Sequence, residues 1–365
     1  MKNPSVPELI ETAEKNGRLA PEEWGALLSA DDPAERAMLR AAASRVRVAA
    51  CGDAVAMRGL VEVGNFCVKN CCYCGIRRDN GHVPRFELDL HEIVDTALLA
   101  GEYHYGSVVL QSGERSDRRF IDKIAEAVAE IKANSSPSLG VTLSCGEQET
   151  SVYREWFSAG SHRYLLRIES SNPEIYARIH PADHSFARRL ACLDALRECG
   201  YQLGTGIMCG LPGQSVMDVV RDVEFFASCD ADMIGMGPYL VQHDTPMAEL
   251  VPDFESQRGE RLEFALNLIA VTRLRLRDVN IAATTALQSL APDGRERGLL
   301  SGANVLMPNL TPTRFREGYQ LYDGKPGLDE NAAESRDALR ASVEKTGFRI
   351  LEDAWGDSPH FQKKR

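Results

Sequence analysis

From residue 58 onward, eight short apolar runs alternate with stretches of helical period, and few folds accept that order. The runs cover 59–63, 107–111, 140–144, 163–168, 203–209, 233–237, 281–285 and 303–307. Between them, residues 90–100, 119–133, 150–157, 186–199, 216–228, 260–276 and 296–300 repeat apolar positions every three or four residues. Strands that are each followed by a helix build parallel β/α units. Eight such units match an α/β fold of the closed (β/α)8 TIM type, which takes ~250 residues. Ahead of them, Pro7, Pro21-Glu22-Glu23 and Asp32-Pro33 each open a short helix, with Asp32 as an N-cap. After residue 323 the chain turns polar, and one last amphipathic helix over 332–345 is expected on the outside. The expected organisation is an N-terminal helical extension (1–56), a barrel (57–325), and a C-terminal helix and tail (326–365).

Site residues of such barrels gather at the C-terminal ends of the strands. Here the first run leads into Asn65-Phe66-Cys67-Val68-Lys69-Asn70-Cys71-Cys72-Tyr73-Cys74-Gly75. Gln111-Ser112-Gly113-Glu114 ends the second, Ser144-Cys145-Gly146-Glu147 the third and Arg167-Ile168-Glu169-Ser170 the fourth. The fifth ends in Gly206-Ile207-Met208-Cys209-Gly210, the sixth in Gly235-Met236-Gly237-Pro238, the seventh in Thr284-Thr285 and the eighth in Met307-Pro308-Asn309. Agreement at eight successive strand ends predicts a ring of site residues. Thr142, Thr284 and Thr285 fall on strands and are expected to point into the barrel, although threonine favours strands in any case.

The spacing C-x3-C-x2-C of Cys67, Cys71 and Cys74 is the sharpest chemical signal. Thiolates are the usual protein ligands of iron–sulfur clusters. Three of them on a cube of four irons leave one iron open, as a catalytic metal site does. A zinc site needs a fourth ligand, and the nearest candidate, His82, has no partner beside it. Cys72 should point away from the ligand set. Cys51, Cys145, Cys192, Cys199, Cys209 and Cys229 are isolated and read as small buried hydrophobes. Ten cysteines in a long chain without a secretory segment suggest a reducing cytoplasm rather than disulfides. The net charge of −11 argues against a nucleic-acid binder or an anionic-membrane binder. No stretch reaches the ~20 apolar residues of a membrane span.

The cysteine run, with aromatic Tyr73 before its last cysteine, resembles the motif of the radical S-adenosylmethionine (SAM) enzymes. That resemblance implies a 4Fe–4S cluster whose free iron chelates the amino and carboxylate groups of SAM, and whose electron cleaves SAM to a 5′-deoxyadenosyl radical. The amino-acid head of SAM asks for a cation and an anion, which Arg167 with Glu147 or Glu169 can supply. The alternative is a structural ion pair between Arg167 and Glu169. Gly206-x-Met208-x-Gly210 resembles the G-x-I-x-G element that supports the adenine in that family, a plain tight turn being the alternative.

Over 58–325 the chain is similar to the HydE family of FeFe-hydrogenase maturases, in the biotin-synthase-like branch. The blocks that carry this are NFCVKNCCYCGIRRDN (65–80), VVLQSGE (108–114), VTLSCGE (141–147), RYLLRIESSNP (163–173), GIMCGLPGQ (206–214), GPYLVQHDTPMA (237–248), IAATTAL (281–287), GANVLMPNLTP (302–312) and YQLYDGK (319–325). The resemblance implies SAM contacts from Tyr73, Gln111, Glu147, Arg167, Glu169, Met208, Tyr319 and Tyr322, and a substrate pocket of Thr142, Thr284, Thr285 and Met307. The implied substrate is a small organometallic species, one iron carrying carbon monoxide, cyanide and a cysteine, on the route to the diiron subcluster of the hydrogenase H-cluster. Other hydrogenase maturation proteins (a scaffold GTPase and a tyrosine-lyase maturase) and a reductant protein are the implied partners. Some members hold a second cluster on three cysteines after the YQLY segment, whereas Cys229 is the last cysteine here, so one cluster is expected. Two rival enzymes share the motif. One is a methylornithine synthase-like amino-acid mutase. The other is biotin synthase, for which Cys145 and Cys209 near strand ends would have to hold a second cluster. A third reading is a carrier that only holds a metal precursor. His243 is a possible proton donor or a solvated loop residue.

Overall fold

The computed structural model describes residues 4–329 and 331–364. Three helices lead in: α1 (Val6–Asn16), α2 (Pro21–Leu28) and α3 (Pro33–Cys51). The Asp32 side chain accepts from the amides of Ala34 and Glu35, capping α3 as its sequence position predicts. With 19 residues α3 is no short helix; it packs along a later helix of equal length.

The barrel runs β1 (Ala54–Gly64), α4 (Leu90–Glu102), β2 (Ser107–Ser112), α5 (Arg118–Asn134), β3 (Gly140–Ser144), α6 (Thr150–Ala159) and β4 (Arg163–Leu165). It continues through α7 (Pro173–Ile179), α8 (Phe186–Glu198), β5 (Gln202–Thr205), β6 (Met208–Cys209), α9 (Val216–Ser228), β7 (Met233–Ile234) and β8 (Gly237–Pro238). It ends with α10 (Arg258–Leu276), β9 (Asn280–Ile281), α11 (Thr285–Leu290), α12 (Gly294–Leu300), β10 (Val305–Leu306) and α13 (Thr313–Arg316). The parallel sheet has the order β10-β1-β2-β3-β4-β5-β7-β9, with β6 and β8 paired above it. An isolated bridge between Ala282 and Val305 brings its two edges together.

Several strands are shorter than their apolar runs. The fifth and sixth runs each break in two, because Gly206 and Gly235 approach too closely for side chains; a Cβ on Gly206 would sit 1.9 Å from the Gly235 carbonyl oxygen. The seventh ends at Ile281, and Thr285, expected on a strand, opens α11 with Thr284 in the extended N-cap position. The chain after 323 holds α14 (Ala332–Lys345), at the expected residues, then β11 (Arg349–Leu351) and α15 (Pro359–Gln362). β11, which no sequence pattern announced, lies parallel to β1 over Ala54–Ala56.

The segment after β11 seals the floor of the barrel. Arg58 and Arg163, both fully buried, point inward, Arg58 where β1 passes the start of β2 and Arg163 at the start of β4. Arg163 Nη1 meets Asp357 Oδ1 at 2.7 Å and donates to the Trp355 carbonyl. The Gly356 carbonyl accepts from Arg58 and from Asn280. Thr142 belongs to this floor, its hydroxyl accepting from Arg163 Nε at 3.0 Å.

Above the floor, Asp222 of α9 ties down the loop after β4, accepting from the amide and hydroxyl of Ser171 at 2.5 and 2.6 Å. Burial pushes its carboxyl up to about 7, further than those bonds pull it back. A folded-state value above the ordinary one means that the contribution of Asp222 is complete below pH 3.8 and is lost as pH rises to 7. Asp222→Asn should lack that loss. Its melting temperature is expected to gain on the parent's as pH rises from 3.8 to 7, and a constant difference would contradict this. Among the described residues no helix is long and apolar enough to cross a membrane.

Candidate active site

A central cavity of about 340 Å³, within the size range of small-molecule pockets, opens at the C-terminal ends of the strands. It is lined by Cys67, Cys71 and Cys74, and also by Tyr73, Gln111, Arg167, Glu169, Met208, Thr284, Thr285, Met307, Tyr319 and Tyr322. Two expected residues lie outside the lining. Thr142 is in the floor, and Glu147 stands behind the wall. Cys145 and Cys209 are buried and do not line the cavity either. His243 is exposed and pairs with Asp323 at 2.8 Å, while His82 pairs with Asp244 at 2.8 Å.

The cysteine loop is held from below by backbone and by one arginine. Val68 N donates to the Glu114 carbonyl, Cys72 N to that of Ile179 and Gly75 N to that of Leu321, at 2.9, 2.9 and 3.0 Å. The Arg85 guanidinium donates to the carbonyls of Asn65, Ile76 and Arg77. Two backbone N–H groups, of Lys69 and Glu114, point at Cys67 Sγ from 3.4 Å. Burial pushes all three thiols up, Cys74 to about 12, and for Cys71 the neighbouring Cys74 and Cys67 add to it. Thiols this close and this buried resist ionisation unless a cation shares them, and a metal deprotonates a coordinating thiol outright. The donor set and the N–H groups aimed at sulfur therefore fit an iron–sulfur cluster with three protein ligands. Gly113 backs the loop: a Cβ there would lie 2.4 Å from the Phe66 carbonyl oxygen and 2.9 Å from Cys67 Cβ. Gly113→Ala should cost ~1–3 kcal/mol of stability by overpacking and lower the iron bound per chain; unchanged iron content and melting would contradict it.

Beside the thiols lies a charged set that is only partly the expected one. Arg167 pairs with Glu169 at 3.0 Å and donates to the Ile207 carbonyl, as the ion-pair alternative foresaw. Burial raises the Glu169 carboxyl, and its backbone takes a left-handed φ of 63°. Glu147 pairs instead with Arg189 Nε at 2.7 Å and with Lys69 Nζ at 3.2 Å, and Lys69 also meets Glu114 at 3.3 Å. Burial alone would raise the Glu147 carboxyl, but Arg189 and Lys69 hold it below its ordinary value. Arg189, which no sequence motif singled out, lines the cavity from α8. The available signal was the pair Arg188-Arg189 in the first turn of a helix, where the dipole disfavours cations.

The helix after β4 buttresses the loop. His180 Nδ1 donates to the Tyr176 carbonyl at 2.9 Å, which leaves Nε2 to accept from the Tyr73 hydroxyl at 3.3 Å. His184 stacks on His180 with ring centroids 4.4 Å apart, and its Nε2 faces Arg189 at 3.0 Å. Burial first, then neighbouring positive charge, lowers both imidazoles to about 3, so both are neutral near pH 7. Across the cavity, buried Glu62 pairs with Lys325, another couple that no motif announced.

Comparison with known proteins adds five findings. Residues 61–226 match the model of the Radical SAM superfamily. The chain is 41% identical over 330 residues to the [FeFe] hydrogenase maturase subunit HydE of Thermotoga maritima, covering 90% of this chain and 91% of that one. It is 25% identical to the biotin synthase of Corynebacterium jeikeium over 77% of each chain. Among solved structures, methylornithine synthase superposes with a TM-score of 0.79 at 21% identity, covering 94% of this chain and 98% of that one. The maturase HydG of Carboxydothermus hydrogenoformans superposes with a TM-score of 0.77 at 20% identity, covering 94% and 78%. At such identities the structural likenesses speak for the barrel alone.

Proposed function

We propose, for a chain that belongs to the HydE family within the radical SAM superfamily, that it matures FeFe hydrogenase by acting on a cysteine-bound Fe(CO)2(CN) precursor of the H-cluster diiron subcluster. The observation that carries this reading is a single cavity lined by three cysteines of one loop and by a buried, charged set beside them. Cys67, Cys71 and Cys74 would hold the cluster, which when reduced supplies the electron that splits SAM into methionine and a 5′-deoxyadenosyl radical.

The residues of the chain then have separable tasks. Arg189 offers a fork-shaped cation for the SAM carboxylate, and Glu114 or Glu169, both raised by burial, lie on the cavity wall to face its ammonium. Tyr73, Met208, Gln111, Tyr319 and Tyr322, all in the lining, would support the adenosyl part. Thr284, Thr285 and Met307, also in the lining, would contact the substrate. Apolar Leu60 and Leu165 and the packed floor keep water from a reacting carbon centre. The barrel, 57–325, is the catalytic unit in this reading. It works in the cytoplasm with other hydrogenase maturation proteins, a scaffold GTPase and a tyrosine-lyase maturase among them, and with a reductant protein.

Anaerobically reconstituted protein with SAM and dithionite should form 5′-deoxyadenosine, which a mere carrier would not. The maturation step is tested by deleting the chain from its host. Hydrogenase activity should vanish, and normal activity would overturn the hydrogenase reading while leaving the radical SAM chemistry standing.

A further inference from the structure

The reading above gives no task to the two stacked imidazoles beside Cys71. His180 and His184 enclose Pro181-Ala182-Asp183, an H-x3-H spacing found among zinc ligands. His180 is 3% exposed, and the His184 side chain not at all. One ring nitrogen of each and the Cys71 sulfur lie within 4.8 Å of one another. Zinc bonds of about 2.0 Å to nitrogen and about 2.3 Å to sulfur ask these donors to close in by roughly an ångström. Cys67 and Cys74 complete no such group with Cys71 among the described residues, as suits thiols that serve three separate irons.

The surroundings are those of metal ligands. His180 Nδ1 donates to the Tyr176 carbonyl at 2.9 Å, the kind of bond that orients a metal-bound imidazole and leaves Nε2 for the ion. His184 Nδ1 is buried without a hydrogen-bond partner, an uncommon state for such an atom in a folded protein. Arg189 faces the other His184 nitrogen at 3.0 Å, but its charge is offset by Glu147, which bonds to Arg189 at 2.7 Å and lies 4.0 Å from that same nitrogen. One thiolate and two imidazoles suit divalent ions of the first transition row, and the usual order of affinity puts zinc above iron. We propose that in the chain without its cluster Cys71, His180 and His184 bind one divalent metal ion, zinc in preference to iron, and that an ion held there withholds Cys71 from the cubane. Binding exchanges the Cys71 thiol proton for the ion. The ion site rests on these three side chains; the withholding rests also on the reading of Cys71 as a cluster ligand.

X-ray absorption at the zinc edge tests the site in the full chain, prepared anaerobically without cluster and loaded with zinc. It should show one sulfur at about 2.3 Å and two imidazole nitrogens at about 2.0 Å. Three sulfurs without imidazole, or no zinc held, would overturn the site. This measurement needs no variant, so it does not depend on how a substituted chain folds. Cobalt(II), a coloured stand-in for zinc, should bind at least ~10-fold more weakly to His184→Ala and to Cys71→Ala, and as in the parent to Cys67→Ala and Cys74→Ala. Binding lost with Cys67→Ala and kept with His184→Ala would overturn the site as well. For the withholding, zinc-loaded parent refilled with iron and sulfide should gain its cluster only in the fraction of chains free of zinc. His184→Ala should fill to one level with or without zinc. Parent filling indifferent to zinc overturns the withholding. A parent that gains no cluster even without zinc indicts the cluster reading, and the absorption spectrum then still decides the ion site.

Discussion

Cys71→Ala is expected to bind almost no cluster and to lose SAM cleavage by more than ~100-fold, the upper end of what losing a mere second-shell partner costs a metal site. Cys71 is the middle thiol of the loop, it lines the cavity, and Cys67 and Cys74 are close enough to raise its pKa further. Two thiolates cannot hold a cube that three leave with one open iron. The neighbouring Cys72→Ala is the built-in control. Cys72 is fixed through its backbone, its N–H on the Ile179 carbonyl and its own carbonyl accepting from Met247 N, while its side chain packs against the separate apolar cluster of Ile175, Ile179 and Met247. It should keep its iron and its activity. Iron, sulfide and 5′-deoxyadenosine per chain measure both, and a Cys71→Ala protein with full iron would remove the basis of the site.

Arg189→Ala is expected to cost ~3–5 kcal/mol of stability, the range for breaking a buried ion pair from one side. Arg189 and Glu147 are each 7% exposed, and Arg189 also donates to the Arg167 carbonyl and faces His184. Without it, Glu147 keeps only Lys69, which it shares with Glu114. The pH dependence should reverse sign. In the parent, Glu147 has a lowered carboxyl, so its contribution is present above the ordinary 4.5 and is lost as pH falls below it. In the variant burial prevails and raises that carboxyl, so stability should fall as pH rises through 4.5. Arg189→Lys should restore the sign but not the SAM affinity, because a single ammonium does not reproduce a forked guanidinium. Chemical denaturation across pH, together with SAM titration, reads both. A variant with the parent's pH slope and SAM affinity would make Arg189 a bystander.

The parts of this molecule that were legible in its sequence are those with local causes. Helix starts announced themselves through Asp32 and Pro33, and α14 falls on the residues its period marks. The cysteine spacing located the loop before any coordinates did. What escaped depends on contacts distant in sequence. The breaks at Gly206 and Gly235 come from the close approach of two backbones that follow the neighbouring strands β5 and β7, so each run looked like one continuous strand. Thr142 faces inward as expected, but it lies one layer too deep, where Arg163 and the tail claim it. Arg189, which meets Glu147, lies on a helix rather than at a strand end, and no motif marks it. Nor could a three-residue strand such as β11, in a polar stretch, be told from a loop.

One spectrum tests the central claim directly. Anaerobically prepared protein, reduced with dithionite, should show the paramagnetic resonance of one 4Fe–4S cluster, and adding SAM should change its line shape as the sulfonium cofactor reaches the open iron. A signal indifferent to SAM, or no cluster signal after reconstitution with iron and sulfide, would contradict it.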